Sequence, residues 1–228
     1  MNRGNSISVL IADDHTIFLE GLRMMLAETN DIEVIGNATT GRQAVAMAEK
    51  LRPSVVVMDI AMPKFNGLEA TRRIRETNPD IKVLILSAHA DDAYVETVIG
   101  LGAVGYLIKQ TSAHCLAEAI REVSKGNTYF SSAVAKRFRK RHETTLDRNG
   151  RRGAKNVNLT TREMQVLQQI AEGAANKQIA AELGISIKTV EKHRDHLMRK
   201  LNIHDTAGLT RYAIERGIIE SSVQVTIV

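Results

Sequence analysis

The stretch Ser54-Val55-Val56-Val57-Met58-Asp59 decides the fold, because four apolar residues run without interruption into a carboxylate. A continuous apolar run of this kind is typical of a strand that is buried on both faces, and such strands belong to parallel sheets covered by helices. A second apolar run lies within Ile81 to Leu86. The sequence therefore predicts an open parallel sheet with helices on both sides.

The same pattern extends outward over residues 1 to 126, where short runs of β-branched residues alternate five times with amphipathic stretches of helical spacing. Right-handed crossovers then predict an α/β fold, a (βα)₅ doubly wound parallel sheet with strand order 2-1-3-4-5. The predicted strands are Ile7 to Ala12, Glu33 to Gly36, Ser54 to Met58, Ile81 to Leu86 and Val104 to Ile108. The predicted helices are Thr16 to Glu28, Ala44 to Leu51, Leu68 to Glu76, Ala93 to Leu101 and Ser112 to Gly126; the first is expected to place Ile17, Phe18, Leu22, Met25 and Leu26 on its apolar side.

From Leu159 onward the spacing of apolar residues is helical throughout and predicts a small all-α domain of four helices. The second and third of these helices are joined by the short turn Leu183-Gly184-Ile185-Ser186, which is typical of a helix-turn-helix. The predicted organisation is a sheet domain over residues 1–129, a basic linker with a short helix over 130–157, and a helix-turn-helix domain over 158–228.

The net charge of +5 over 228 residues is unevenly distributed. Residues 1–130 hold 13 Lys and Arg against 16 Asp and Glu, whereas residues 131–228 hold 18 against 10. An acidic first part and a basic second part predict a polyanionic partner, such as nucleic acid, for the second part. Nine of the basic residues lie within 136–155, so most of this excess belongs to the predicted linker.

Composition excludes several classes of protein. The single cysteine, Cys115, rules out a disulfide framework within the chain and a zinc site built from several cysteines, and we expect it to be a small buried side chain. No stretch approaches the roughly 20 apolar residues of a membrane helix, and the first residues lack the apolar core of a signal peptide. We therefore expect a cytoplasmic protein without a membrane partner.

Candidate functional residues follow the predicted strands, because parallel sheets bind ligands beyond the carboxyl ends of their strands. These residues are Asp13 and Asp14 after the first strand, Asp59 after the third, Ser87 after the fourth and Lys109 after the fifth. The first and third strands are neighbours in the predicted order, so three carboxylates should meet there. Since carboxylates repel one another and hard oxygen ligands suit Mg²⁺, the sequence predicts a magnesium pocket.

These residues and their surroundings resemble the receiver domain of bacterial two-component response regulators over residues 5 to 126. The motifs that carry the resemblance are Asp13-Asp14, Asp59-Ile60-Ala61-Met62-Pro63, Asn66-Gly67, Ser87-Ala88 and Ala103 to Lys109. The resemblance implies that Asp59 is the phosphoacceptor and that Asp13, Asp14, Asp59 and the main-chain carbonyl of Ala61 surround Mg²⁺. It also implies that Ser87 donates a hydrogen bond to the phosphoryl group, that Lys109 pairs with its charge, and that the ring of Tyr106 turns inward when Ser87 engages phosphate.

Each of these residues also has an ordinary structural explanation. An Asp-Asp pair after a strand is often only the cap of the next helix, and a lysine at a strand end is usually a solvated charge. Tyr106 could be a half-buried sheet residue without a further role. The coincidence of all of these residue types at the correct strand ends favours the functional interpretation.

The motifs that carry a second resemblance are Leu159 to Glu163, Gly173, Asn176 to Ala180, Ser186, Lys188 to His193, and Lys200-Leu201. Through these motifs, residues 159 to 218 resemble the LuxR-type DNA-binding domain, and the whole chain resembles the NarL/FixJ subfamily of response regulators. In the third helix of this domain, Val190, Leu197 and Leu201 recur at core spacing. We predict that the remaining face of this helix enters the major groove of DNA. The alternative interpretation is that this face of mixed charge is exposed to solvent and contacts no partner. We expect Lys188, Thr189 and Arg199 to contact phosphates, Glu191, Lys192 and Asp195 to read base edges, and His193 to pack or to meet a phosphate.

The implied partners are a sensor histidine kinase, double-stranded promoter DNA, a second copy of the chain after phosphorylation, and RNA polymerase as a further candidate. Dimerisation is expected through the final helix, Thr206 to Arg216. Two alternatives stay open: a Mg²⁺-dependent phosphohydrolase that uses Asp59 as nucleophile, and a constitutive DNA-binding protein. The sequence offers neither a substrate-binding insertion between strands nor a spare histidine that would act as a turnover base beside Asp59, so we expect no enzyme beyond slow self-dephosphorylation.

Overall fold

The computed structural model describes residues 6–88, 95, 98–130, 159–216, 218 and 219. The chain divides into two compact units, Met1–Asn156 and Val157–Val228. In the predicted helix Ala93 to Leu101, residues 95 and 98–100 are helical, and residue 101 lies in a turn. Residues 93, 94, 96 and 97 lie outside the described residues. The predicted linker lies outside them as well, apart from Phe130.

The first unit is built on a parallel sheet with strand order β2-β1-β3-β4-β5-β6, so the predicted fold class is confirmed. The sequence pattern missed the short sixth strand, which pairs with Gly105 and Tyr106 of β5. Two residues are too few to show any periodicity. The strands are β1 (Ile7–Ala12), β2 (Ile32–Ala38), β3 (Val55–Met58), β4 (Lys82–Ser87), β5 (Gly105–Ile108) and β6 (Tyr129–Phe130).

Four described helices accompany this sheet, and polar side chains cap three of them. The hydroxyls of Thr40 and Ser112 and the amide oxygen of Asn66 each accept a hydrogen bond from a backbone N–H of the first turn. Such caps satisfy donors that the helix itself leaves unpaired. The helices are α1 (Thr16–Ala27), α2 (Gly41–Leu51), α3 (Gly67–Thr77) and α4 (Ala113–Ser124).

The buried face of α1 differs from the predicted one. Leu19, Leu22 and Leu26 are buried, whereas Ile17 is 85% exposed and Met25 is 36% exposed. A helix of 3.6 residues per turn places positions 19, 22 and 26 on one stripe and position 17 about 200° away from position 19. The prediction for Ile17 and Met25 was wrong because α1 is apolar on more than one face.

The core lies on both faces of the sheet. Every residue of β3 is at most 1% exposed, which is what its uninterrupted apolar run predicts. In α4, Leu116, Ile120 and Val123 pack into this core. Cys115 is only half-buried, contrary to expectation, because it lies at the margin of that face.

The second unit contains the four predicted helices. A capping box between Thr160 and Glu163 starts the first, and the left-handed conformation of Gly184, with φ of 63°, allows the sharp turn between the second and the third. Leu201 is only half-buried, although its spacing predicted a core residue. The helices are α5 (Thr161–Ala171), α6 (Asn176–Leu183), α7 (Ile187–Leu201) and α8 (Thr206–Glu215).

Among the described helices, none has the length and apolar character that crossing a membrane requires.

Gly67, at the start of α3, packs directly against the backbone of Asp59. A Cβ atom at position 67 would lie 1.8 Å from the carbonyl oxygen of Asp59, so any larger residue must displace the chain there. We expect Gly67→Ala to lower the free energy of unfolding by about 1–3 kcal/mol, measured by urea denaturation.

Gly21→Ala is the matched control, because a Cβ at this position in α1 meets nothing within 4 Å. Alanine favours a helix over glycine, so this variant should be up to about 1 kcal/mol more stable than the wild type. Equal destabilisation by both substitutions would contradict the assigned close contact.

Candidate functional site

The strand register brings the predicted acidic residues to one edge of the sheet. Ala12 of β1 lies opposite Met58 of β3, so the next residues, Asp13 and Asp59, leave their strands side by side. The backbone N–H of Asp59 donates to the carbonyl of Ala12 at 2.8 Å, which fixes this juxtaposition. Both carboxylates are only 2% exposed.

Lys109 lies between these two carboxylates. It follows β5, and its backbone N–H donates to the carbonyl of Ser87 at 2.8 Å. Its Nζ lies 2.9 Å from Oδ2 of Asp13 and 3.2 Å from Oδ2 of Asp59. Burial by itself lowers the pKa of the Lys109 ammonium, but the two carboxylates outweigh burial and the pKa is raised. Lys109 is therefore a fixed positive charge in the pocket.

Asp59 carries an oxygen that is available for chemistry. Its Oδ1 accepts a hydrogen bond from the N–H of Ile60 at 2.8 Å, whereas its Oδ2 is buried and accepts no hydrogen bond from the described residues. The contact of Oδ2 with Lys109 at 3.2 Å is thus an ion pair that lacks hydrogen-bond geometry. Burial raises the pKa of Asp59 to about 6, and Lys109 opposes this effect.

His15 completes the mouth of the pocket, and the sequence analysis did not single it out. Its Nδ1 lies 3.1 Å from Oδ1 of Asp13 and 3.1 Å from Oδ1 of Asp14. Burial raises the pKa of the half-buried Asp14, and the neighbouring imidazole opposes this. The only signal for His15 was its place directly after the Asp-Asp pair.

Phe18 is a second residue that was missed, because its spacing predicted only a core position. Its ring centre lies 5.1 Å from Nζ of Lys109, within the range of a cation–π contact. Phe18 therefore lines the pocket on the side of α1.

The remaining predicted residues lie around this pocket. Ser87 ends β4 and is 4% exposed. Tyr106 of β5 is fully buried and not half-buried, which leaves open whether it has a role beyond packing. Ala61 is half-buried in the loop that follows Asp59. These positions agree with the predicted roles but do not test them.

The pocket has the donor set of a cation site. Asp13, Asp14, His15 and Asp59 each offer a ligand atom, and these four atoms lie within 4.8 Å of one another. The buried Oδ2 of Asp59 and Oδ1 of Asp14 accept no hydrogen bonds from the described residues. Because clustered carboxylates are costly without a counter-charge, the residues present fit a divalent cation.

The second candidate site is the exposed face of α7. Five of the residues predicted to contact DNA are exposed, namely Lys188, Glu191, Lys192, Asp195 and Arg199. Thr189 is half-buried, and its hydroxyl lies 2.8 Å from that of Ser186, the N-cap of the helix. Its hydroxyl is thus engaged in the cap. His193 is half-buried, and burial and then the charge of Arg162 lower the pKa of its imidazole.

Ile187 belongs to the same face and was not predicted. It is 45% exposed at the first position of α7, where helix-turn-helix proteins place their base-contacting residues. Arg194 of the same helix donates to the hydroxyl of Thr206 at 2.6 Å and thereby ties α7 to α8.

Known families match both units. Residues 9–121 match the response regulator receiver domain, and residues 157–213 match the bacterial regulatory proteins of the luxR family. The transcriptional regulatory protein DegU of Brevibacillus brevis is 37% identical over 227 residues, which cover 95% of this chain and 96% of DegU. The chain belongs to the NarL/FixJ family of response regulators.

Other response regulators support the same conclusion. The response regulator protein VraR of Staphylococcus aureus is 35% identical over 215 residues, covering 94% of this chain and all of VraR. A structure of the RcsB response regulator of Salmonella typhimurium has a TM-score of 0.71 and 26% identity, covering 93% of this chain and 99% of RcsB. RcsB of Salmonella enterica serovar Typhimurium bound to promoter rprA with the phosphomimetic BeF₃⁻ has a TM-score of 0.69 and 25% identity, with 91% and 98% covered.

The buried charge of Asp59 makes the stability of this response regulator depend on pH. Its pKa is about 6 in the folded protein against an ordinary value of 3.8, so the folded protein binds more protons than the unfolded chain between these pH values. The contribution of Asp59 to stability is therefore fully present below pH 4 and decreases as the pH rises through 6.

Without added Mg²⁺, we expect Asp59→Asn to raise the free energy of unfolding above pH 6 by about 3 kcal/mol at most, at 1.36 kcal/mol for each pKa unit. Urea denaturation at pH 4, 5, 6 and 7 measures the difference from the wild type. A difference that stays constant over this range would contradict the pKa assigned to Asp59.

Proposed function

We propose that this response regulator is a transcription regulator whose DNA binding is switched by phosphoryl transfer from a sensor histidine kinase to Asp59, with Mg²⁺ as cofactor. The observation that carries the proposal is the buried Oδ2 of Asp59, which accepts no hydrogen bond from the described residues and faces Nζ of Lys109 at 3.2 Å. A reactive oxygen beside a fixed cation is what a phosphoacceptor requires.

In the proposed reaction, Oδ2 of Asp59 attacks the phosphorus of a phosphohistidine on the kinase. The new P–O bond forms an acyl phosphate as the P–N bond breaks, and the leaving imidazole keeps the bonding electrons and takes up a proton from solvent. Lys109 offsets the negative charge that builds up on the transferring group, and Ser87 donates a hydrogen bond to it. The pKa of about 6 keeps most of the Asp59 carboxylate ionised and nucleophilic near neutral pH.

The cation would be held by Asp13, Asp14, Asp59 and the main-chain carbonyl of Ala61, directly or through water. When bound, Mg²⁺ would neutralise part of the charge of these carboxylates and of the phosphoryl group. The proposal is supported by the carboxylate atoms that accept no hydrogen bonds in the described residues.

The output of the switch is proposed to run through Ser87 and Tyr106. Once Ser87 binds the phosphoryl group, the buried ring of Tyr106 is held inward, and the surface around β5 and α4 changes. Phosphorylated copies would then dimerise through α8 and bind paired half-sites in promoter DNA, where RNA polymerase is a further candidate partner. The RcsB structure bound to promoter rprA in the presence of the phosphomimetic BeF₃⁻ supports the binding of promoter DNA by an activated copy.

On DNA, the face of α7 divides into two kinds of contact. Lys188 and Arg199 are placed to contact phosphates, while Glu191, Lys192 and Asp195 are placed to read base edges. Because the hydroxyl of Thr189 already contacts that of Ser186, we expect Thr189 to contribute less to phosphate binding than the sequence predicted.

Two other functions are disfavoured. A phosphohydrolase would need a substrate-binding insertion, and the loops between the described elements of residues 7–87 and 105–130 provide none. A constitutive DNA-binding protein would have no use for the buried pocket around Asp59. We therefore propose no enzymatic turnover beyond slow self-dephosphorylation.

The switch is tested by comparing wild type with Asp59→Asn, each with Mg²⁺ and with or without beryllofluoride. We expect the wild type alone to gain solution mass by light scattering and to gain at least tenfold in affinity for duplexes selected from a random library. The substitution removes the charged oxygen on which the analogue must bind. Identical behaviour of the two proteins would overturn the proposal.

The DNA interface is tested with Lys188→Ala and Lys192→Ala on the same selected duplexes. Lys188→Ala should weaken binding to all sequences alike and reduce the slope of log K against log salt by about 0.9, because one phosphate contact is lost. Lys192→Ala should relax the preference at one base pair by about 1–3 kcal/mol.

Lys125→Ala is the control, since Lys125 is exposed in the other unit and pairs with Glu122. This substitution should change neither the salt dependence of DNA binding nor the preference at any base pair. If both α7 variants bind like this control, the face of α7 does not contact DNA.

A further inference from the structure

We propose that His15 is a nitrogen ligand of the cation in the Asp59 pocket, and that the pocket therefore binds borderline transition-metal ions such as Co²⁺ or Zn²⁺ more tightly than Mg²⁺. The inference rests on the proposed function, because it concerns the same pocket. It adds a residue and a class of metal that the all-oxygen site does not contain.

The distances around His15 are those of adjacent ligands on one ion. In an octahedral site with bonds of about 2.1 Å, neighbouring ligand atoms lie about 3.0 Å apart and opposite ones about 4.2 Å apart. Nδ1 of His15 lies 3.1 Å from Oδ1 of Asp13 and 3.1 Å from Oδ1 of Asp14. Nδ1 of His15 thus already has the spacing of an adjacent ligand to each of two carboxylate oxygens.

The interior of the pocket supplies an independent observation. The carboxylate of Asp59 is 98% buried, since only 2% of it is exposed, and its Oδ2 accepts no hydrogen bond from the described residues. The ligand atoms of Asp13, Asp14, His15 and Asp59 lie within 4.8 Å of one another, so small movements would bring all four onto one ion. Nδ1 of His15 lies at the exposed mouth of the pocket, and Oδ2 of Asp59 lies at its base.

The chemistry of the donors decides the class of metal. Mg²⁺ prefers oxygen ligands and retains its waters, so an imidazole adds little to its binding. Imidazole suits Co²⁺, Ni²⁺ and Zn²⁺, whose affinities for nitrogen-containing sites exceed those of the earlier divalent ions. With His15 as a ligand, the pocket should therefore prefer Co²⁺, Ni²⁺ and Zn²⁺ over Mg²⁺ by a larger factor in affinity than carboxylates alone would.

His15 also forms hydrogen bonds to Asp13, and the experiment must distinguish this orienting role from metal binding. Its backbone N–H donates to Oδ1 of Asp13 at 2.9 Å, and its Nδ1 lies within hydrogen-bond distance of the same oxygen. A protonated Nδ1 would orient Asp13 without touching the metal. His15→Asn retains a side-chain N–H that can donate to Asp13 but lacks the imidazole nitrogen, whereas His15→Ala removes both.

The experiment measures dissociation constants for Co²⁺ and Mg²⁺ on the full chain by competition with a chromophoric chelator. We expect His15→Ala and His15→Asn to weaken Co²⁺ binding at least tenfold and to change Mg²⁺ binding less than twofold. His114→Ala, which removes an exposed histidine of α4, is the matched control and should change neither. Retention of Co²⁺ affinity by His15→Asn would overturn the proposal and leave His15 as a positioning residue for Asp13.

Proton NMR of the Co²⁺-loaded protein gives a direct signature. A coordinated imidazole produces ring resonances shifted far outside the diamagnetic range, and we expect these in the wild type and in His114→Ala but in neither His15 variant. Their absence from the wild type at saturating Co²⁺ would overturn the proposal.

Beryllofluoride binding, followed by ¹⁹F NMR with Mg²⁺, separates this inference from the proposed function. If the wild type binds the analogue and His15 proves irrelevant to Co²⁺, only the inference on His15 fails. If the wild type binds neither the analogue nor either metal, the proposed function fails and the inference fails with it.

Discussion

The repulsion between the buried carboxylates of Asp13 and Asp59 is the constraint on which the rest of the site depends. The register of β1 with β3 forces the two groups together, and Lys109 alone among the described residues forms ion pairs with both. Burial first, and then the charge of Asp13, raise the pKa of Asp59, while Lys109 opposes both effects. One ammonium cannot neutralise three carboxylates, so the pocket retains negative charge. This residual charge is what a divalent cation and a transferring phosphoryl group would relieve. The folded protein is thus strained electrostatically at the point where the chemistry is proposed to occur.

The same logic explains why a phosphoryl group at this position could act as a switch. Asp59, Ser87 and Tyr106 are all nearly or fully buried, so a group added there must be accommodated by neighbouring side chains. The close approach of Gly67 to the backbone of Asp59 limits how far the loop that follows Asp59 can move. In the second unit, α7 presents both positive and negative side chains, so we expect the proposed DNA interface to depend on specific contacts more than on net charge.

The sequence was sufficient for the sheet order, the carboxyl-end positions of Asp13, Asp59, Ser87 and Lys109, and the helix-turn-helix joint. Each of these follows from local rules, namely apolar runs, capping residues and the geometry of parallel strands. It was not sufficient where tertiary packing chooses among equivalent faces, which is why Ile17 and Met25 were assigned to the buried side of α1 and Leu201 to the core. His15 and Phe18 were missed for a related reason. Their relation to the pocket depends on how the first turn of α1 projects over the sheet edge, which no spacing rule specifies.

The most direct test of the central claim is chemical identification of the phosphorylated residue. The full chain is incubated with acetyl phosphate and Mg²⁺ and then reduced with borohydride, which converts an aspartyl phosphate to homoserine, and the modified position is located by mass spectrometry. The account predicts homoserine at position 59 alone. Modification at position 13 or 14, or no modification under conditions in which the protein remains folded, would contradict it.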